Sequence, residues 1–201
     1  MELIPKLSIP IVLVYCYDTS KKNYYVTYDN MDVIADVAEY LMKHGHEKIG
    51  VIKGAEDSLP SQKRLKSFIT QLEKAGKELK EEYIFPGAWE FGDGVKAYER
   101  FKQLEDKPTA IFAMNDLMAA GFMDAALNDG VRIPEDVSVI GFDNRQECRF
   151  TRPRLATVDI PLEKMGEKAG QVLLDLISGK TPEDRKVILP CDCLLYTSPS
   201  P

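Results

Sequence analysis

Arg64, Trp89, Asn115, Asp143 and Asn144 are the side chains of this 201-residue sequence whose types suit ligand chemistry, with Tyr15 and Tyr17 as companions. Each stands after the end of an apolar run. "IPIVLVY" leads to Tyr15 and Tyr17, "KIGVIKG" and a helix start to Arg64, and "EYIFPG" to Trp89, the only tryptophan. "AIFAM" leads to Asn115, and "VSVIGF" to Asp143 and Asn144. Planar Asp, Asn and Arg groups can contact two adjacent hydroxyls at once, and an aromatic face covers the apolar C–H side of a sugar ring. The set suits a neutral polyhydroxyl ligand. Taken singly, each residue also has an ordinary structural explanation. Trp89 is compatible with a core or rim aromatic, Asp143 and Asn144 with an Asx turn, and Arg64 with a solvated face beside Lys63 and Lys66. Only their falling at one kind of place in the chain favours the ligand reading.

The elements that must position these residues alternate between strand and helix. Ile9–Tyr15, Lys48–Gly54, Ala110–Ala113 and Val137–Phe142 are continuous apolar runs, as strands covered on both faces are. Between them, Asp32–Lys43, Ser61–Ala75, Gly94–Leu104, Leu117–Asp129 and Glu163–Ile177 carry apolar residues at helical spacing. "YYVTYDN" and "LATVDI" are extended, and "KVIL" is a last strand. Such alternation predicts an α/β fold with parallel sheets. In sheets of that kind ligands bind beyond the carboxyl ends of the strands, which is where the residues above fall. At the junction "AMNDLMAAG", Asp116 is expected to cap the following helix, leaving Asn115 for the ligand.

Composition sets the outer bounds. With 44% hydrophobic and 29% charged residues the chain has the make-up of an ordinary globular protein. Its 26 basic and 32 acidic residues give a net charge of −6, which argues against a large nucleic-acid footprint. No apolar run reaches the roughly 18 residues that a membrane span needs, and "MELIPKLSIPIVLVY" does not have the parts of a secretory signal. Cys16, Cys148, Cys191 and Cys193 do not have metal or disulfide spacing, and His44 and His46 in "KHGHEK" read as a helix end and a turn. Nucleophile-elbow, P-loop, zincin and dinucleotide fingerprints are absent, so the sequence nominates neither a reaction nor a cofactor or metal.

Five segments in order, "GHEKIGVIKG", "KRLKSF", "PTAIFAMNDLMAAG", "GVRIPEDVSVIGFDN" and "PRLATVDIPLEKMGEKAGQVLLDLISGK", resemble the effector-binding part of the LacI/GalR family of bacterial transcriptional repressors. The resemblance runs from about Ile9 to Pro190. It implies a periplasmic-binding-protein-like fold: two Rossmann-like subdomains with parallel sheets, three crossover segments, and a ligand cleft. On that basis residues 1–28 and 157–181 are expected to form an incomplete N-terminal subdomain. Residues 29–156 and 182–193 are expected to form the C-terminal one, and 194–201 a foreign or disordered tail. The apolar strand Ile9–Tyr15 and helix Glu163–Ile177 are then expected to expose surface, with few sheet neighbours to cover them. The resemblance carries effector contacts onto Arg64, Trp89, Asn115 and Asp143. Tyr15 stands where the family often has Asp, with Tyr17 close by. The dimer surface is implied at Met118, Ala120, Gly121, Met123 and Phe150. The implied partners are a small-molecule effector, a sugar or related compound, and a second copy of the chain. Operator DNA would be reached only through an N-terminal helix-turn-helix that this sequence does not include. No catalysis, cofactor, metal or membrane is implied, and the cytoplasm is the expected compartment. A sugar-binding protein of a transport system is the alternative with the same fold.

Overall fold

The computed structural model describes residues 9–16, 18, 22–29 and 31–194, with residues 147 and 148 as backbone only. The chain forms two compact units, Met1–Asp29 with Pro161–Cys191, and Asn30–Ile160 with Asp192–Pro201. It therefore passes from one to the other three times.

In the first unit, β1 (Val12–Val14), β2 (Tyr24–Tyr28) and β8 (Lys186–Leu189) make a parallel sheet in the order β1-β2-β8. Helix α5 (Leu162–Ile177) packs on β1 and β2 through Met165, Ala169 and Val172. Its other side leaves Leu174 and Ile177 more than 60% exposed, as expected for this helix. The resemblance puts the strand "KVIL" in the C-terminal subdomain. Its backbone instead pairs with β2, Val26 opposite Val187 and Thr27 opposite Ile188. Residues 182–191 accordingly belong with the first unit, and 157–160 with the second.

The second unit is built on the parallel sheet β4-β3-β5-β6, with β3 (Ile49–Ile52), β4 (Ile84–Phe85), β5 (Ala110–Ala113) and β6 (Ser138–Ile140). All residues of β3, β5 and β6 are buried, the cause of their continuous apolar runs. Helices α1 (Asp32–Lys43) and α2 (Leu59–Lys74) pack together, as do α3 (Phe91–Phe101) and α4 (Asp116–Asn128). Phe68 of α2 stacks on Phe112 of β5, and Phe122 of α4 meets Tyr98 and Phe101 of α3 edge-on, joining helix to sheet and helix to helix. An antiparallel pair, β7 (Thr157–Asp159) and β9 (Asp192–Leu194), carries two of the crossings. Leu194, expected to begin a foreign tail, thus pairs with Thr157, and the rest of that tail lies outside the described residues.

Helices α3 and α4 approach so closely that only glycine fits between them. A Cβ at Gly94 would meet the carbonyl oxygen of Met118, and one at Gly121 the carbonyl of Phe91. Met118 and Gly121, which the resemblance places on the dimer surface, are therefore buried inside the unit against α3.

Candidate functional site

Strands β4, β3, β5 and β6 lie side by side and parallel, so the segments after their carboxyl ends share one rim. Arg64 reaches that rim from the second turn of α2, which Ser58 caps. It is no solvated cation: only 3% of it is exposed, although Lys63 and Lys66 flank it. Its guanidinium lies 3.7 Å from the centroid of the Phe142 ring and 5.7 Å from that of Trp89. Nη1 donates to the Met114 carbonyl oxygen, and Nη2 stands 4.0 Å from Asp143 Oδ1. A weakly hydrated, planar cation is the one charged group that tolerates such burial between aromatic faces, provided an acid faces it.

Trp89, Asp143 and Asn144, with Tyr15, are the non-glycine residues whose φ angles are positive, between 52° and 114° among the described residues. Such backbone is sparsely populated for residues with a Cβ, costs about 1–3 kcal/mol each, and gathers where function over-determines geometry. Three of the four lie on this rim. At Trp89, with φ 76°, the Asn115 side-chain amide donates to the carbonyl oxygen at 2.8 Å, while Asp93 accepts from the N–H groups of Ala88 and Glu90. At the β6 end, Asp143 N–H donates to Val158 O at 2.9 Å, and the Asn144 amide donates to Asp159 Oδ1 at 2.8 Å. The pair is thus laced to β7 instead of closing a free-standing Asx turn.

Asn115 takes the capping role expected of Asp116, and Asp116 is drawn into the interior. Asn115 is the N-cap of α4, its Oδ1 accepting from Met118 N–H at 2.9 Å, while its amide holds Trp89. It is 5% exposed, and both ends of its side chain are engaged within the unit. It builds the rim by holding its neighbour in place. Asp116 is fully buried and accepts from the Thr157 hydroxyl at 2.5 Å and from Arg145 N–H at 2.7 Å. Burial pushes its carboxyl up to about 7, and the nearby Asp143 charge acts in the same sense, against the hydrogen bonds from Thr157, Arg145 and Phe142. Thr157 and Phe142 carry no mark of site membership in the sequence, since neither is a strand-end polar residue.

Tyr15 belongs to the first unit, 45% exposed, with its ring 5.2 Å from that of Tyr28. Tyr17 lies outside the described residues. Elsewhere on the second unit, Phe91, Leu117, Ala120, Met123, Leu127 and Phe150 line an open groove of about 380 Å³. Phe150 is 74% exposed, Met123 contributes from a buried position, and Asp124 and Arg152 stand in the same lining. Among the described residues no group of His, Cys, Asp and Glu is placed to hold a metal ion, and no helix is long and apolar enough to cross a membrane.

The profile of the periplasmic binding protein-like domain family matches residues 38–196. The HTH-type transcriptional repressor PurR of Mannheimia succiniciproducens is 38% identical over 142 residues, 71% of this chain and 42% of the relative. Two solved structures superpose closely. A transcriptional regulator described as LacI from Bacillus cereus subsp. cytotoxis has a TM-score of 0.86 at 32% identity, covering 96% of this chain and 68% of that one. A LacI-family sugar-binding transcriptional regulator from Escherichia coli, complexed with phosphate, has a TM-score of 0.83 at 31% identity, covering 96% and 69%. The chain spans about half the length of the curated relatives it matches.

Proposed function

Because the chain belongs to the LacI family of transcriptional regulators, we propose that it binds a small neutral effector, of the sugar class, on the rim of its second unit and forms a dimer through α4. The observation that carries the effector site is the convergence of Arg64, Trp89 and Asp143, two of the three in left-handed backbone, after parallel strands of one sheet. Arg64 and Asp143 offset each other's charge, so the rim favours a neutral ligand over an ion. Forked and planar groups beside an indole face suit ring hydroxyls beside a C–H face. A sugar-binding relative at 31% identity supports the same class. In this reading ligand binding occurs without turnover, and the work is done in the cytoplasm. The effector acts by shifting the affinity of an attached helix-turn-helix for operator DNA, a coupling between two sites.

Isothermal titration against D-glucose, D-galactose, D-ribose, cellobiose, adenine and guanine tests the effector class. A neutral sugar is expected to bind and to change the emission of Trp89. Binding of a nucleobase and of no sugar in this panel overturns the class, and binding of none overturns the site.

The groove supplies the dimer contact. It is apolar at its centre and carries Asp124 and Arg152, charges of opposite sign, and a two-fold contact juxtaposes such a surface with its own copy. Ala120, Met123 and Phe150 remain in this surface, joined by Leu117 and Leu127. Charge reversal at either position, Asp124→Arg or Arg152→Asp, is expected to weaken the dimer by about tenfold, and the double reversal to restore it. Sedimentation equilibrium reads the outcome. A double variant no tighter than the singles separates these two residues from the contact, and a monomeric native chain removes the dimer altogether.

A further inference from the structure

We propose that Gly54, two residues beyond β3, is a positioning residue of the rim: its missing side chain is the seat in which the Trp89 indole lies. A Cβ built on Gly54 would overlap Cζ2 and Cη2 of Trp89 and come within 2.5 Å of Cε2. The aromatic ring thus covers the Gly54 Cα directly, where any other residue would put its first carbon.

The glycine is not there for its backbone. Gly54 is not among the glycines with positive φ, which are Gly45, Gly76, Gly130 and Gly179. Alanine can therefore adopt the backbone of position 54, and what its Cβ meets first is the ring. A glycine at a strand end often marks the close approach of another group, and here that group is the aromatic of the rim. The indole has little freedom to give way. Its backbone is held at φ 76° by the Asn115 amide and by Asp93, and the Arg64 guanidinium stands 5.7 Å from the ring centroid. A side chain at 54 has to turn the ring out of its rotamer. The size of residue 54 thereby sets whether the aromatic face lies along the rim, and with it the breadth of ligand ring that can stack there. That last consequence rests on the ligand site proposed above. The seat does not.

Trp89 is the only tryptophan of the chain, so its spectra report this seat without any ligand. In Gly54→Ala, the tryptophan band of the near-ultraviolet circular dichroism spectrum is expected to be lost and acrylamide quenching of its emission to rise, with the far-ultraviolet spectrum unchanged. Native quenching and a native near-ultraviolet band in a folded Gly54→Ala overturn the proposal. Should Gly54→Ala fail to fold, the double variant Gly54→Ala with Trp89→Ala decides. Recovery of a cooperative unfolding transition on removal of the ring supports the seat, and continued failure to fold overturns it. Neither result depends on which compound binds, so a failed ligand panel and a failed seat are told apart.

Discussion

Arg64→Ala is expected to lower the unfolding free energy by about 3 kcal/mol, because it removes one partner from a buried charged contact and leaves the others in place. Three losses add up. The Met114 carbonyl, fully buried, loses the guanidinium N–H that it accepts. Asp143 keeps a negative charge near Phe142 after its facing cation at 4.0 Å is gone. A hole opens where the guanidinium lay on the Phe142 ring. Arg64→Lys separates stability from binding. An ammonium keeps the charge but cannot lie flat on the ring or hold Met114 O and Asp143 as a fork does. It is expected to cost about 1 kcal/mol in stability and to weaken the sugar that binds the native chain by about tenfold. Urea unfolding of both variants checks the first, and titration calorimetry of Arg64→Lys the second. An Arg64→Ala variant as stable as the native chain contradicts the burial argument at its root.

Much of this fold was legible because parallel strands buried on both faces leave an unmistakable trace: "AIFA" and "IGVI" are apolar throughout, and both are wholly buried strands. The rim was legible from the strand-end rule, since Asn115, Asp143 and Asn144 follow such runs closely and Trp89 stands four residues after β4. Family resemblance supplied the two-unit plan. What stayed hidden involves pairings between distant segments. Arg64 looks solvated beside Lys63 and Lys66, and only the fold brings Phe142 under it. Asn and Asp are equally good helix caps, so the order "ND" does not say which of them caps α4, and the choice is made by Trp89 O and Thr157, on two other segments. Likewise "KVIL" is a strand by pattern, but its register on β2 is set by the packing of the first unit. In α4 the periodicity cannot tell a face packed on α3 from a face open to a partner, because both are apolar. The glycines at 94 and 121 were the available signal for the closed side.

Asp116 makes stability depend on pH in the sense opposite to that of a salt-bridged carboxylate. Its carboxyl titrates near 7 in the folded chain and near the ordinary aspartate value of about 4 when unfolded. Between those values the folded chain holds a proton that the unfolded chain has released. Stability from this group is therefore full below about pH 4, falls as pH rises towards 7, and is lost above it, a change on the order of 4 kcal/mol. Asp116→Asn is expected to remove that dependence and keep the network. Its Oδ1 can accept from Arg145 N–H while Nδ2 donates to the Thr157 hydroxyl oxygen, which accepts as readily as it donates. The variant should accordingly be more stable than the native chain at pH 8 and closely similar at pH 4.5. Asp116→Ala should be weaker at both, since it takes the acceptor from the Arg145 N–H and from the buried Thr157 hydroxyl. Urea unfolding of the three proteins at the two pH values distinguishes these outcomes, and a native pH slope that survives in Asp116→Asn assigns the titration to another group. The comparison also bears on the rim. Thr157 and Asn144 lie within one hydrogen-bonded patch with Asp116, and Asp143 N–H is bound to Val158 next to it. Protonation of one buried carboxyl thus acts on the backbone that holds Asp143 in its left-handed conformation, so the same asparagine should flatten any pH dependence of sugar affinity near neutrality.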